Sequence, residues 1–305
     1  MCEEIDDLHC DHEEADTRML LHCKYIAATS VEQNQDIIIK SPDTDVFVLA
    51  IYFSSVFEEM GGRVLFHTGR GKNLRTIDAS CVNRFLGQEK CNYLIGLHCL
   101  TGCDAVSSFR GKGKVKPAKL LFKDVAEFPV FFSLGDSFEI DEDQATQVEK
   151  FVCRLYGQHD CDDVNTVRYT KFKMGKHREE AMPPNQDSLK QHIMRANYQA
   201  AVYKSALDQF PDIPSPHGRG WIVDGESIAI HWTDLAPAPD SILEFVHCDC
   251  KKTKCIQGGC SCLEKGLPCT DLCKCVSCEN TPQECLTNDG DDNDEDDDSD
   301  SESED

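Results

Sequence analysis

The stretch Asp36–Phe53, DIIIKSPDTDVFVLAIYF, decides how the N-terminal part of this chain folds. Its first five residues, DIIIK, form a short run of β-branched apolar side chains that is typical of a buried parallel strand. The Ser41-Pro42 turn ends the strand, and the apolar residues Val46–Phe53 predict a helix directly after it. A strand that leads at once into a helix is the repeating unit of an α/β sheet.

The segments on either side continue this alternation of helices and strands. Residues 13–30 predict an amphipathic helix, and Arg63–Thr68 predicts a second strand between two glycine turns. Further helices are predicted at residues 79–100 with a break near Gly87, and around residues 94–106 and 117–126. We therefore expect residues 1–130 to form an α/β domain with a parallel sheet.

Residues 131–247 show a different pattern, which predicts a helical extension and a proline-rich connector. Gln144–Tyr156 predicts one helix, and a capping box at Ser188–Gln191 predicts the start of a long one with Leu189, Ile193, Ala196, Ala200, Tyr203 and Leu207 in stripe. Residues 211–240 carry five prolines and both tryptophans, which indicates an ordered, wrapped connector.

Nine cysteines are concentrated in a short segment near the C-terminal end. Nothing in Met1–Asp16 resembles a secretory signal, no stretch approaches the ~20 apolar residues that span a bilayer, and ten other cysteines are scattered without framework spacing. This pattern indicates a reducing cytosol or nucleus, so metal binding is favoured over disulfides, and zinc is the metal that prefers tetrahedral thiolate sites. The cysteines are Cys248, Cys250, Cys255, Cys260, Cys262, Cys269, Cys273, Cys275 and Cys278.

The number of cysteines restricts the zinc stoichiometry. Three tetrahedral zinc ions need twelve ligand positions. Nine cysteines fill these positions when six bind one ion each and the other three each bridge a pair of ions. Such a cluster has a charge of −3, which five interspersed lysines would offset: Lys251, Lys252, Lys254, Lys265 and Lys274. A two-zinc site that uses eight cysteines is the alternative.

The segment CDCKKTKCIQGGCSCLEKGLPCTDLCKCVSCEN, residues 248–280, resembles one repeat of the tesmin/TSO1-like CXC family, including the final Asn280. The resemblance implies a zinc-binding module. In that family a tyrosine directly before the fourth cysteine enters DNA, whereas Gly259 occupies this position here. The family usually carries two repeats and this chain has one, so the resemblance implies zinc binding more directly than sequence-specific DNA binding.

Acidic residues follow predicted strand and helix ends in the α/β part. In a parallel α/β sheet, ligands bind beyond the carboxyl ends of the strands, and converging carboxylates repel one another unless divalent cations lie between them. Two Mg²⁺ or Mn²⁺ ions held in this way are a common device for phosphodiester hydrolysis. The candidate catalytic residues are Glu14, Asp16, Asp43, Asp45 and Asp104.

A basic, glycine-containing segment follows the last of these acids and is a candidate for nucleic-acid binding. Two glycines would let the backbone approach a phosphate, and the next helix would present its N-terminus. The candidate residues are Arg110, Gly111, Lys112, Gly113, Lys114 and Lys116.

The order of these features resembles the PIN-like and flap-endonuclease superfamily: an acid-x-acid pair on a helix, a second pair after a strand, and Leu100-Thr-Gly-Cys-Asp104 before a Gly-x-Gly hairpin. The resemblance implies that Asp43, Asp45 and Asp104 hold one metal and that Glu14 and Asp16 hold part of another. The first strand of that family, with its leading aspartate, would precede residue 1, so we expect a fragment or an incomplete site. Taken singly, an Asp-x-Asp pair after a strand is also typical of a helix cap, which Asp43 could provide, and Glu14 and Asp16 are typical of the first turn of a helix.

The charge of the chain limits its partners. The formal net charge is −24, and residues 289–305 hold twelve acids and no base, which predicts a disordered acidic tail over residues 281–305. We expect a nuclear or cytoplasmic protein without membrane segment or small-molecule cofactor, associated with nucleic acid and carrying an incomplete nuclease-type domain. The alternative is a nuclear scaffold that binds protein partners through its zinc module or acidic tail.

Overall fold

The computed structural model describes residues 5–29, 35–174 and 181–235, and in the C-terminal part residues 247–251, 254–256, 259–264, 269, 273–276 and 278–280. The chain divides into two compact units, Met1–Leu235 and Ala236–Asp305. The predicted acidic tail lies outside the described residues.

The first unit is a mixed α/β structure in which helices outnumber strands. The strands are β1 Gln35–Lys40, β2 Gly62–Thr68, β3 Arg75–Asp78, β4 Trp221–Asp224 and β5 Ser227–Ile230. The helices are α1 Ala15–Thr29, α2 Thr44–Glu59, α3 Ala79–Leu86, α4 Gln88–Asn92, α5 Leu94–Leu100, α6 Val115–Lys123, α7 Val130–Ser133, α8 Glu142–Leu155, α9 Val164–Met174 and α10 Gln186–Lys204.

The larger sheet has the order β1-β2-β3. The predicted parallel pairing of the first two strands is confirmed, with Ile37 opposite Val64. The third strand was not predicted and runs antiparallel to β2, with Ile77 opposite Phe66, so the sheet is mixed. The reason is the length of the connection: the six residues from Gly69 to Leu74 suffice for a hairpin but not for the crossover that a parallel strand requires.

One face of this sheet forms part of the core. Ile37 and Ile39 of β1 and Val64 and Phe66 of β2 are buried, and α1 and α2 pack against these strands. Ile38, which points to the other face, is 64% exposed. One face of the DIIIK strand is therefore buried, and the described residues leave its other face uncovered.

The long helix α10 ties the first unit together. Its predicted stripe is buried from Leu189 to Tyr203, and these residues share one hydrophobic cluster with residues of α1, α2, α5 and α8. The helix begins at Asn185, whose side chain accepts a hydrogen bond from the Ser188 amide (2.8 Å), so the cap predicted at Ser188 was wrong by one turn. The core is continuous across residue 130.

Buried polar residues of α10 join it to its neighbours. His192 donates from Nε2 to the carbonyl of Leu100 (2.8 Å) at the end of α5. Arg195 is 2% exposed and donates to the carbonyls of Gly220 (2.9 Å) and His231 (2.8 Å), which flank β4 and β5. This hairpin lies in the region predicted as a connector, and neither it nor α9 was predicted.

Among the described residues no helix is long and apolar enough to cross a membrane.

Candidate metal centres

The five predicted acids converge at the carboxyl end of β1. Asp43 and Asp45 follow this strand at the start of α2, and Glu14 and Asp16 lie at the start of α1. The backbone amide of Asp104 donates to Asp45 Oδ2 (3.2 Å). Asp16, Asp43 and Asp45 each offer a carboxylate oxygen within 4.8 Å of the others. Residues up to 90 positions apart are therefore brought into one carboxylate cluster.

Asp45 is the buried member of the carboxylate cluster, with an exposure of 5%. Its Oδ1 lies 2.9 Å from His98 Nε2, and its Oδ2 accepts from the Tyr203 hydroxyl (2.9 Å) as well as from Asp104. Burial alone would raise the pKa of Asp45, but the hydrogen bonds and the charge of His98, followed by the Tyr203 bond, lower it to about 2. Asp45 is thus held ionised and joins α2, α5 and α10.

Asp16 and Glu14 show the opposite behaviour. Burial, and then the negative charges of Asp43, Asp45 and Asp104, raise the pKa of Asp16 to about 6. Burial and the charge of Asp16 raise the pKa of Glu14, against the hydrogen bond that Gln199 donates to it (3.3 Å). Mutual repulsion of this kind is relieved either by protons or by a cation.

The carboxylate cluster therefore has two parts with different chemistry. Asp45 already accepts three hydrogen bonds, which occupy most of its lone-pair positions. Asp16 and Asp43 are partly exposed and Asp104 is exposed, so their oxygens are accessible. Sequence reasoning missed His98 and Tyr203 as partners of Asp45, because nothing local indicates contacts across 53 and 158 residues.

The basic segment forms the turn before α6, and its lysines do not all face solvent. The Lys114 amine donates to the carbonyls of His98 (2.7 Å) and Gly102 at the end of α5. Burial lowers the pKa of Lys114, although the residue as a whole is exposed. The amine of Lys112 lies over the ring of Tyr156, 4.4 Å from its centroid.

The remaining candidates lie at the surface. Arg110, Gly111, Gly113 and Lys116 are exposed. The sequence did not indicate Lys171 of α9, whose pKa is lowered by burial and by the nearby charge of Lys116.

Gly102 fixes the loop that carries Asp104. Its φ is +111°, and a Cβ at this position would lie 2.7 Å from the Cβ of Ser108 and 2.9 Å from its Cα. Only glycine fits such a conformation at such a contact. The Leu100–Asp104 segment therefore depends on this residue for its path beside Asp45.

The second candidate centre is the cysteine cluster of the C-terminal unit. None of the nine cysteines, all of which the structure describes, forms a disulfide. The Sγ–Sγ distances are 3.6 Å for Cys248–Cys255, 3.7 Å for Cys248–Cys269, 3.9 Å for Cys260–Cys269 and 3.5 Å for Cys262–Cys273. With a Zn–S bond of ≈ 2.3 Å, the edge of a ZnS₄ tetrahedron is about 3.8 Å. The sulfurs are thus spaced as tetrahedral thiolate ligands are.

Three groups of four sulfurs fit within 4.8 Å, and they share members. Any two groups have Cys248 in common and, in addition, one of Cys255, Cys260 and Cys269. The groups are Cys248, Cys250, Cys255 and Cys260; Cys248, Cys260, Cys262 and Cys269; and Cys248, Cys255, Cys269 and Cys275. Shared sulfurs are the arrangement that nine cysteines need in order to bind more than two tetrahedral ions.

Other residues hold the cysteine cluster in shape. Asn280 donates from Nδ2 to Cys269 Sγ (3.4 Å), and its carbonyl accepts from the Cys269 amide (2.8 Å). Gly259 has a φ of +101°, and a Cβ added to it would meet no atom of the described residues within 4 Å. A tyrosine here would have room but would require a backbone conformation that costs energy for any residue with a Cβ.

The thiolate spacing and the shared sulfurs define a cysteine-rich metal-binding module, and the arrangement supports zinc binding. The family model described as tesmin/TSO1-like CXC domain, cysteine-rich domain, matches residues 245–282. These residues are therefore a tesmin/TSO1-like CXC domain, which confirms the resemblance noted for residues 248–280.

Three relatives match part of the chain. Protein lin-54 of Caenorhabditis elegans is 53% identical over 34 residues, which is 11% of this chain and 8% of the relative. Protein tesmin/TSO1-like CXC 8 of Arabidopsis thaliana is 42% identical over 83 residues, 27% of this chain and 21% of the relative. The Drosophila melanogaster lin-54 homolog is 46% identical over 33 residues, 11% of this chain and 4% of the relative.

The chain thus spans about a fifth or less of the length of these relatives. No solved structure matches it.

Proposed function

We propose that this chain is a zinc-binding, DNA-associated regulatory protein of the nucleus, in which zinc builds the CXC module. The observation that carries the proposal is the spacing of six of the nine sulfurs, which agrees with edges of ZnS₄ tetrahedra. Since such modules fold only with metal, zinc would be a structural component.

The shared sulfurs suggest how three zinc ions would be held. Cys255, Cys260 and Cys269 would bridge pairs of ions, because each belongs to two of the groups. Cys248 and Cys250 would complete the first site. Cys262 and Cys273, whose sulfurs are 3.5 Å apart, would complete the second, and Cys275 and Cys278 the third.

Association with DNA rests on the resemblance of the module to its family and on its lysines. The module's five lysines barely outnumber its four acids, and a −3 cluster makes it weakly negative overall. Lys254 is moreover paired with Glu279 (2.7 Å). Binding would therefore be weak and strongly salt-dependent, since a few phosphate contacts supply the affinity.

The test is zinc-dependent DNA binding by the full chain, measured as fluorescence anisotropy of a labelled duplex at low and physiological salt. We expect binding that is lost on chelation and in Cys255→Ser, because a bridging ligand is removed, and retained in Cys153→Ser, a buried cysteine of the first unit. Absence of binding at low salt by the zinc-loaded chain would instead favour the scaffold interpretation, in which zinc shapes a surface for protein partners.

A second function is favoured by a separate observation: the carboxylates of Asp16, Asp43 and Asp45 meet at the carboxyl end of β1, and the charges of Glu14 and Asp104 lie near them. We propose a PIN-like, metal-dependent nuclease-type site in which Asp16, Asp43 and Asp104 face Mg²⁺ or Mn²⁺ and Asp45 positions the loop that carries Asp104. The metal would supply charge neutralisation for an attacked phosphodiester. Exposed Arg110 and Lys116 of the basic segment would lie along the nucleic-acid backbone.

Cleavage of labelled single-stranded and duplex substrates with and without Mn²⁺ tests this second function. We expect any cleavage to be lost in Asp43→Asn, which keeps the helix cap, and to be retained in Cys255→Ser, which alters only the zinc module. Cleavage that persists in Asp43→Asn would assign the activity to a contaminant.

A further inference from the structure

A cavity of about 610 Å³ lies within the first unit, between the start of α1, one face of α10 and the proline-rich segment that leads to β4. It adjoins the carboxylate cluster through Glu14 but is lined mainly by other residues. Its volume falls in the range of ligand-binding pockets, ≈ 300–1,000 Å³. Neither proposed function uses it.

The charged residues that line the cavity are all acidic. Asp11, Glu13 and Glu14 contribute carboxylates, and no lysine or arginine lines it among the residues that the structure describes. Burial and the charge of Glu13 raise the pKa of Tyr198 on the opposite wall, whereas the charge of Arg219, which is paired with Glu139, lowers it. A phosphate-bearing ligand would be repelled here, whereas a cation would be attracted.

The walls of the cavity are apolar and held in place. Trp221 is 9% exposed and meets the Tyr198 ring edge-on, with the centroids 5.3 Å apart. The Tyr198 hydroxyl donates to the carbonyl of Pro214 (2.9 Å), which fastens the proline-rich wall to α10. Apolar walls with acids at one end suit a ligand that has an aliphatic stem and a cationic head.

We propose that this cavity binds a lysine or arginine side chain of a basic peptide segment of a partner protein. The carboxylates of Asp11 and Glu13 receive the cationic head, and Trp221 and Tyr198 contact the aliphatic stem. The volume accommodates a side chain with adjoining backbone, which is why the assignment is to a peptide and not to a free polyamine.

Tryptophan fluorescence reports on this site directly, because Trp221 lines it and the chain has one other tryptophan, Trp232, which is 59% exposed. In a Trp232→Phe background, titration with a short blocked peptide of alternating lysine and alanine should give a saturable change in Trp221 emission. Glu13→Gln should weaken binding about tenfold, as expected for the loss of one charge-assisted hydrogen bond. Glu142→Gln, at an exposed acid of α8, is the matched control and should bind as the parent does.

Three results would overturn the proposal. The first is no saturable change with the lysine peptide. The second is an equal response to a glutamate–alanine peptide or to spermidine, which would indicate no peptide selectivity. The third is equal binding by Glu13→Gln and the parent. Because Glu13 lies outside the carboxylate and cysteine clusters, these results are independent of nuclease activity and of zinc.

Discussion

Asp45→Asn removes a buried carboxylate charge through which α2 is hydrogen-bonded to α5 and α10. The pKa of Asp45 is held at about 2, against 3.8 ordinarily, and this difference corresponds to about 2 kcal/mol of folding free energy. In the variant, the amide N–H of asparagine also faces one of the groups that donate to Asp45 in the parent. This mismatch should cost a further ~1 kcal/mol of folding free energy. We expect the free energy of unfolding to fall by about 3 kcal/mol.

The assay is urea unfolding of the zinc-loaded chain near neutral pH, followed by far-UV circular dichroism. Asp43→Asn is the matched control: Asp43 caps α2 by accepting from the Asp45 amide (2.8 Å), and asparagine caps a helix as well as aspartate does. This variant should unfold within about 0.5 kcal/mol of the parent.

The pH dependence provides a second check on Asp45. The pKa of Asp45 is lower in the folded protein than in the unfolded chain. Its contribution to the free energy of unfolding is therefore complete above pH 3.8 and is lost as the pH falls toward 2. The difference in unfolding free energy between Asp45→Asn and the parent should therefore become smaller as the pH falls from 3.8 toward 2. Equal stability of Asp45→Asn and the parent at neutral pH would refute the claim that the buried Asp45 carboxylate stabilises the first unit. An equal loss of stability in Asp43→Asn would refute it as well.

Three further predictions concern other parts of the chain. Asp16→Asn should raise the melting temperature at neutral pH. The pKa of Asp16 is raised from 3.8 to about 6, so the parent loses stability as the pH rises from 3.8 through 6. The variant has no carboxylate at this position and should not show this loss. A variant that melts like the parent on both sides of pH 6 would contradict this. Gly102→Ala should lower unfolding free energy by about 2 kcal/mol, because of the contact with Ser108, relative to Gly111→Ala, where φ is also positive but space is open. Equal losses in these two variants would show that no collision occurs. Zinc chelation should leave the thermal unfolding of the first unit unchanged in circular dichroism, because among the described residues its hydrophobic core and the cysteine cluster are separate sets. A lowered transition would show that the folding of the first unit depends on zinc.

Local patterns predicted the elements that depend on neighbouring residues. The DIIIK run and the apolar segment after it predicted β1 and α2, and glycine turns marked β2, because strand and helix periodicities are short-range. Cysteine spacing located the CXC module for the same reason, since its ligands lie within a few residues of one another.

Contacts between distant residues could not be predicted in this way. Tyr203 was predicted as part of an apolar stripe, yet its hydroxyl donates to Asp45. Lys114 was predicted as a phosphate contact, yet its amine is bound by carbonyls at the end of α5. β3 and the β4–β5 hairpin were not predicted because each strand has only four residues, too few to show a period.

The number of zinc ions per chain tests the central claim most directly. Native mass spectrometry of the full chain, purified under reducing conditions with zinc, should show three ions and nine unmodified thiolates, and Cys255→Ser should lose at least one ion while Cys81→Ser, an exposed cysteine of the first unit, keeps all three. A chain that carries no zinc, or holds these cysteines in disulfides, would contradict the account.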